Sequence, residues 1–518
     1  MGTEQSRGAP LKPLDDPTPL TGPTIDVGVR IGWLLRMARL TAPERPAHRL
    51  GDMVTRLEWQ GLRTSTSSLH RIETGAVRDD RVVAAYEEAL ALAPHSLRAS
   101  IDIVCRTFPY SPVDRAPVHR VSSPEEMSRL HEPVLAGVAV GGQWREWARA
   151  MAQQGNVGLP VDTALDAVRL LSRDLVRAGG AGYFTRYDAL ATLRRSSWGS
   201  VVREVAALQL ADPHVQIVND TMSAVGEAYD DSTRSWMVGL LADPRDVVAQ
   251  GAAIGLGAMA EVHGAADFWP PVLPELVRLY NDAGPEGERW RWLSHLMRLL
   301  PPAELATVRP LLAHAPAPVG ESLRAEGRDA LVHECQRQAE EASAALQLPY
   351  QPLLARLLFE VVGDGRSSRS YAGVVLLSAL PAVRDVCVDA VIHMAENHPD
   401  PAMRRRAASR VNMLVVDHLP HATRDRLVSA HELTPDELRW AARAGIRLSS
   451  DVLQRALSEQ VPLFGPLGVL VAMGLSGSPL LSEILADAEW SDEVRGAAAW
   501  WTRTGARLVD PLPSPTDD

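Results

Sequence analysis

The sequence contains few cysteines, a single lysine and few aromatic residues. Its three cysteines, Cys105, Cys335 and Cys387, are far apart and include no CxxC pair. This usage excludes a disulfide framework and is typical of a protein in a reducing compartment, so we expect a cytoplasmic location. Lys12 is the single lysine, and the other 52 of the 53 basic residues are arginine. Such a bias is typical of GC-rich coding and is not by itself evidence of phosphate binding.

The motifs of several large enzyme classes are also missing. No Gly-Lys-Ser or Gly-Lys-Thr occurs, which excludes a P-loop, and no Gly-x-Ser-x-Gly follows a strand. The nearest approach to a zinc site is His393, Glu396 and His398. Its two histidines are five residues apart, which places them about 140° apart around a helix and not on one face. We therefore expect no metal, no cofactor and no enzymatic activity.

The chain lacks a convincing signal peptide or membrane span. Residues 1–24 are rich in Pro, Gly and Thr without a charged-then-apolar pattern, so we expect a disordered tail. The longest uncharged stretch, residues 461–482, contains three prolines and several glycines. A stretch of this length can span a bilayer, but its prolines favour a buried pair of helices, and we expect no contact with a membrane.

Charge is distributed unevenly along the 518 residues, whose formal net charge is −11. Residues 27–78 contain nine arginines and four acidic residues, a net charge of 9 − 4 = +5. From residue 111 onward there are 39 basic and 51 acidic residues, a net charge of −12. A basic head on an acidic body is expected when a nucleic-acid reader is attached to a regulatory or interaction module.

The basic head contains a short amphipathic segment, Ser65 to Gly75. Ser65 is a good helix cap, and Gly75 can adopt the left-handed conformation that ends a helix. Leu69 and Ile72 are three residues apart and so share one face, which we expect to be buried. The opposite face is polar and of a size to meet base edges; its side chains are Thr66, Ser67, His70 and Arg71.

This segment resembles the recognition helix of the Xre-type helix-turn-helix family of Cro-like regulators, in its order of polar cap, polar readers, Leu69, two polar residues, Ile72, Glu73 and Gly75. The resemblance extends over residues 27–105. It implies that α-helix three reads bases with Thr66, Ser67, His70 and Arg71. It implies phosphate contacts for Arg30, Arg36, Ser65, Arg63 and Arg78. It also implies a core that includes Leu34, Leu57, Leu69, Ile72 and Gly75.

Two features depart from the family pattern. The link between the first and second helices, residues 41–48, is long and contains Pro43 and Pro46. The segment 58–64 is longer than the usual tight turn between the second and third helices. Both leave the register of helix two and the docking angle of helix three open, and the alternative is a helical bundle that has lost DNA binding.

The rest of the sequence predicts an all-α body. We divide the chain into a tail (1–24), a helix-turn-helix domain (25–107), a proline-spaced linker (108–122), a helical domain (123–507) and a second disordered tail (508–518). Leu-Ala-Asp-Pro occurs at residues 210–213 and again at 241–244, and Asp400-Pro401 precedes another helix rich in small residues. These units, in which Asp is expected to cap a helix and Pro to set its first turn, resemble an irregular HEAT-like solenoid.

These observations favour a sequence-specific, DNA-binding transcription regulator whose helical body senses an effector or dimerises. We expect a homodimer on a pseudo-palindromic site in double-stranded DNA, with a peptide, small-molecule or protein effector on the body. A second hypothesis is a non-enzymatic protein-interaction scaffold with the head as an adaptor. A third, a HEAT-like repair enzyme that grips duplex DNA, is disfavoured by the acidic body.

Overall fold

The computed structural model describes residues 12–42, 47–108, 123–154, 159–263, 267–285, 287–316, 325–458 and 465–511. These residues form 27 α-helices and one 3-10 helix, Arg309–Leu311, and the described ranges contain no β-strand. The all-α prediction is therefore confirmed. The predicted linker falls mainly on residues 109–122, outside the described residues.

The first five helices form the head. Polar side chains close their N-termini: Asp26 accepts from the Val29 amide, Ser65 from the Ser68 amide and Asp79 from the Arg81 amide. The second helix ends at Trp59. The five helices are α1 (Val27–Thr41), α2 (Leu50–Trp59), α3 (Thr66–Glu73), α4 (Asp80–Ala89) and α5 (Ser96–Thr107).

The remaining 22 α-helices form the body. The first half comprises α6 (Pro124–Leu135), α7 (Gly141–Gln154), α8 (Val161–Arg177), α9 (Gly180–Arg194), α10 (Gly199–Ala211), α11 (Asn219–Gly226), α12 (Asp231–Leu240), α13 (Asp246–His263), α14 (Leu273–Ala283), α15 (Glu288–Leu299) and α16 (Pro302–Val308). The second half comprises α17 (Ala325–Ala345), α18 (Pro352–Gly363), α19 (Ser367–Ser378), α20 (Pro381–Asn397), α21 (Pro401–Leu414), α22 (His421–Ser429), α23 (Pro435–Arg443), α24 (Ser450–Ser458), α25 (Gly465–Ser476), α26 (Leu480–Ala486) and α27 (Asp492–Thr504).

Helices of the body pack in two successive series. In the first series, α7, α9, α11, α13 and α15 pack one against the next. In the second, α19, α21, α23, α25 and α27 do the same. Helix α5 of the head packs against both α9 and α19, and α27 at the other end packs against α8. Both ends of the second series therefore lie near α8 and α9, at the start of the first series, and the head packs at one of these two places.

The two ends of the chain are attached to this body. Residues 12–24, predicted to be disordered, contact α18 and α19: the Arg356 guanidinium donates to the Asp16 and Thr18 carbonyl oxygens at 2.6 Å each. At the other end, Leu508 forms an isolated parallel β-bridge with Ala178, and the Asp510 carboxylate forms an ion pair with Arg186 at 2.8 Å. The prediction of disordered tails is therefore wrong for residues 12–24 and 508–511. The rest of the two predicted tails, residues 1–11 and 512–518, lies outside the described residues.

The Asp-Pro motifs do not all have the predicted capping role. Asp400 caps α21, with Pro401 in its first turn. In contrast, Asp212 and Asp243 lie in loops, where their carboxylates accept from the amides of His214 and Arg245, two residues further along. The helices that follow begin only at Asn219 and Asp246, seven and three residues further along, so neither aspartate occupies the N-cap position. Capping at the two Leu-Ala-Asp-Pro sites is therefore a wrong prediction.

The described residues contain no helix that is long and apolar enough to cross a membrane. Part of the long uncharged stretch lies in α25 and α26. Their apolar side chains, including Leu470, Met473 and Leu480, are buried in the protein. The expected pair of buried helices is therefore present in the described part of this stretch.

Candidate nucleic-acid interface

Helix α3 has one buried and one open face. Leu69 is fully buried and Ile72 is 6% exposed, and this face packs against α1 and α2. On the opposite face, Thr66, Ser67 and Arg71 are exposed to solvent, as is His70. The amphipathic pattern of the sequence therefore produces a short helix that presents polar side chains outward.

The end of α3 is held very close to α1. Gly75 has a φ of +76°, the left-handed region that favours glycine. A Cβ atom on Gly75 would lie 2.3 Å from the Gly28 carbonyl oxygen, and one on Gly32 would lie 2.5 Å from the Gly75 amide nitrogen. Gly32 and Gly75 thus allow direct contact between the backbones of α1 and the α3 terminus, which fixes the position of α3.

A buried ion pair joins the same two helices. Nε and Nη2 of Arg39 donate to the two Glu73 carboxylate oxygens at 2.6 and 2.8 Å, and the Tyr86 hydroxyl donates to Glu73 at 2.7 Å. Burial opposes the charge on Arg39, but the carboxylate more than compensates, so the pKa of Arg39 is raised. Glu73 therefore links α3 to α1 and, through Tyr86, to α4.

The predicted core residues lie inside this arrangement. Leu34 and Leu57 are fully buried, as is Leu69, with Ile72 nearly so. The spacing of Leu69 and Ile72 predicted their burial, whereas Leu34 and Leu57 were predicted as what the family resemblance implies. Their burial fixes α1, α2 and α3 around a common interior.

Three of the arginines that were predicted to contact phosphates are enclosed within the protein, and Arg30 and Arg36 are the first two. The Arg30 side chain is fully buried and pairs with Asp16 and Glu360 at 2.7 Å each. Arg36 is 3% exposed, and its Nη1 donates to the Lys12 carbonyl oxygen at 2.8 Å. A guanidinium enclosed in this way cannot reach a phosphate on a docked duplex. The predictions for Arg30 and Arg36 are therefore wrong.

Arg78 is the third of these arginines. Its side chain is 6% exposed and its Nε donates to Asp80 at 3.0 Å. Nη1 lies 3.2 Å from the Cys105 sulfur. Arg78 thus connects the loop before α4 to α5, and its predicted phosphate contact is also wrong.

The remaining predicted contacts are accessible. Ser65, at the N-terminus of α3, and Arg63, in the preceding loop, are exposed. Arg49, at the N-cap of α2, is exposed as well and was not singled out from the sequence. Since four arginines of the head (30, 36, 39 and 78) have side chains no more than 6% exposed, the local charge of +5 overstates the charge available to a ligand.

One large apolar side chain lies on the same part of the head. Trp59, the last residue of α2, is 79% exposed. It precedes the loop that leads to α3. Other tryptophans of this protein, such as Trp33 and Trp144, are buried. Its exposure was not predicted, since a tryptophan at a helix end is equally compatible with burial.

The histidines considered for a metal site engage separate partners. His393 lies 3.1 Å from an Arg337 nitrogen, Glu396 pairs with Arg426 at 2.9 Å, and His398 accepts from the Asp400 amide at 3.1 Å. Across the described ranges, no group of three His, Cys, Asp or Glu side chains is placed to hold a metal ion. Comparisons of the chain with protein-family models, with curated proteins and with solved structures gave no match.

Proposed function

We propose that the protein is a sequence-specific, DNA-binding transcription regulator that inserts α3 into the major groove. The observation that carries this proposal is the open polar face of α3. Thr66, Ser67, His70 and Arg71 are all exposed, on a helix whose other face is anchored by Leu69 and Glu73. A short helix with fixed orientation and outward hydrogen-bonding side chains has the properties that base reading requires.

The side chains of this face have distinct proposed roles. Arg71 presents a fork of donors suited to guanine O6 and N7, the commonest specific contact in the major groove. Thr66 and Ser67 are short enough to meet bases near the N-terminus of α3, and His70 is a weaker reader. Ser65, together with the exposed Arg63 and Arg49, would hold phosphates near the N-terminus of α3.

The attachment of the head to the body constrains how such a regulator would work. Arg30 of the head and Glu360 of the body share two buried hydrogen bonds of 2.7 Å, so we treat the head as rigidly attached. In the proposed homodimer, the body therefore sets the distance between the two α3 helices and with it the spacing of the half-sites. The body, which we propose is a HEAT-like solenoid, would be the sensing and dimerising part.

In vitro selection from a random duplex library tests this proposal. The full chain is required, because residues 25–107 alone would expose Arg30 and other side chains that are buried against the body. We expect enrichment of an inverted repeat by the wild type and none by the Ser67→Ala, Arg71→Ala double variant. A matched control is Arg405→Ala, an exposed arginine of α21, which should leave selection intact. Equal enrichment by the wild type and the double variant would reject α3 as the reader.

A second function, that of a protein-interaction scaffold, is favoured by Trp59. A tryptophan that is 79% exposed is typical of an anchor in a protein interface. Selection would then yield no DNA sequence, while Trp59→Ala would abolish capture of a protein partner. The two functions are therefore distinguished by which substitution, at Trp59 or at Arg71, removes binding.

A further inference from the structure

Helix α21 has a run of arginines on one side of the body. Arg406 and Arg410 are four residues apart and thus lie on successive turns of the same face. Both are partly buried, whereas Arg405 is exposed to solvent. Helix α21 contains no acidic residue, so its own sequence provides no carboxylate to compensate these charges.

The partners of these arginines are few. Arg406 donates to the carbonyl oxygen of Asp364. The Asp364 carboxylate is itself shared by Arg366 at 3.1 Å and Arg369 at 3.3 Å. Arg410 Nη1 lies 3.4 Å from the Met413 sulfur, a weak acceptor. Neither Arg406 nor Arg410 is ion-paired with any residue that the structure describes.

A third arginine, Arg298, is near enough to Arg406 for its charge to act on it. Arg298, near the end of α15, is partly buried and has no hydrogen bond or ion pair to the described residues. Burial, together with the positive charges of Arg410 and Arg298, lowers the pKa of Arg406 to about 10, against the opposing effect of Asp364. Burial also lowers the pKa values of Arg298 and Arg410. Arg406 is therefore subject to repulsion from two other cations, and the Asp364 carboxylate that opposes them is already shared by Arg366 and Arg369.

Arginines elsewhere in the protein show the opposite behaviour. Arg30, which is more deeply buried, has a raised pKa because Glu360 and Asp16 outweigh its desolvation. Arg106 is likewise paired with Asp188 and Glu227, at 2.5 and 3.0 Å. Enclosed arginines in this fold thus normally have carboxylate partners, and Arg298, Arg406 and Arg410 depart from that pattern.

The neighbouring titratable side chains do not balance the positive charge of Arg298, Arg406 and Arg410. Burial and then Arg298 lower the pKa of His295 to about 4, so this imidazole adds no positive charge at neutral pH. Glu261 accepts from the Ser367 hydroxyl at 2.9 Å at the start of α19, and burial raises its pKa. Its carboxylate is thus engaged by α19 and not by the arginines.

We propose that Arg298, Arg406 and Arg410 form a binding site for the phosphate group of a small molecule. A phosphate carries nearly two negative charges and three strong acceptor oxygens, which guanidinium forks on two different helices can share. Partial burial strengthens these contacts by reducing competition from water. The site is separate from α3 and does not depend on the proposed reading of DNA.

Thermal unfolding of the full chain with added anions tests the site. The probes are inorganic phosphate, pyrophosphate and glucose 6-phosphate, with citrate as a polycarboxylate of similar charge at matched ionic strength. We expect saturable increases in Tm with the phosphate compounds only. A preference for inorganic phosphate and pyrophosphate would identify a free phosphate site, and a preference for glucose 6-phosphate a phosphate ester site. An equal effect of citrate would overturn the proposal.

Charge-removing variants distinguish a specific site from general screening. Arg406→Gln with Arg410→Gln should weaken binding of the phosphate probe by about tenfold or more. The control Arg405→Gln, on the exposed side of the same helix, should bind as the wild type does. Without ligand, the double variant should have a Tm at least equal to that of the wild type, because repulsion has been removed. A lower Tm without ligand, or unchanged phosphate binding, would overturn the proposal.

Discussion

Arg30 and Glu360, 330 positions apart in the chain, form a buried two-pronged ion pair. Nη1 and Nη2 of Arg30 donate to the two carboxylate oxygens of Glu360 at 2.7 Å each, and both side chains are fully buried. Nε of Arg30 donates to Asp16, also at 2.7 Å. Three segments are thus joined at one guanidinium: the N-terminal residues, α1 of the head and α18 of the body. We infer that head and body unfold together.

Removing one partner of this pair should therefore destabilise the whole chain. We expect Arg30→Ala to lower the free energy of unfolding by about 3–5 kcal/mol, because it leaves Glu360 and Asp16 buried with fewer cationic partners. Chemical denaturation with a probe in the head and another in the body would measure this loss. Arg71→Ala, at an exposed position, is the control and should change stability little. Two separate transitions in the wild type would contradict the single cooperative unit.

Arg63 should contribute to DNA affinity without contributing to sequence preference. Its side chain is exposed next to α3, and removal of one phosphate contact reduces the slope of log affinity against log salt by about 1. Fluorescence anisotropy with the selected site and with random DNA should show equal losses for Arg63→Ala. Arg71→Ala should instead weaken binding mainly to the selected site. A greater loss on the selected site for Arg63→Ala would assign Arg63 to base reading.

Gly75→Ala should destabilise the head. The φ of +76° and a contact of 2.3 Å between the new Cβ and the Gly28 carbonyl oxygen indicate a loss of about 2–5 kcal/mol. The control is Gly51→Ala in α2, where a Cβ would meet nothing within 4 Å. That substitution should stabilise the helix by about 0.5–1 kcal/mol. Equal changes in Tm for Gly75→Ala and Gly51→Ala would show that the contact of Gly75 with α1 is unimportant for stability.

Glu87 should make stability depend on pH. Its carboxylate accepts from the amides of His95 and Arg98 at 2.9 Å each, and burial raises its pKa from 4.5 to about 7 against those hydrogen bonds. Between these values the folded protein holds a proton that the unfolded chain releases. The free energy of unfolding should thus fall by about 3 kcal/mol as pH rises from 4.5 to 7.

The variant Glu87→Gln isolates this contribution, because it retains an acceptor for the two amides and does not titrate. Denaturant unfolding of both proteins across this pH range gives the difference. We expect the wild type to lose stability relative to the variant as pH rises. A constant difference between the two proteins would show that Glu87 has an ordinary pKa in the folded state.

Local features of the structure were accessible from the sequence. The spacing of Leu69 and Ile72 predicted the buried face of α3, and Ser65 predicted where that helix begins. These features depend on a few adjacent residues, whose side chains bond the backbone nearby. The all-α class follows from the same local patterns repeated along the chain.

Long-range pairing was not accessible in the same way. The sequence around an arginine on a helix does not show whether its side chain faces solvent or a carboxylate. Arg39 pairs with Glu73, 34 residues away, and Arg30 pairs with Glu360 in another part of the chain. Such pairs are fixed by tertiary packing, which no local pattern encodes. Three predicted phosphate contacts, at Arg30, Arg36 and Arg78, failed for this reason.

Genome-wide occupancy of the protein in its own cells, beside that of the Ser67→Ala, Arg71→Ala variant, tests the central claim most directly. We predict discrete peaks that share an inverted repeat in the wild type and their loss in the variant, at equal protein levels and equal Tm. A wild-type profile without discrete peaks under several growth conditions, or peaks that the variant retains, would contradict the account of α3 as a reader of DNA.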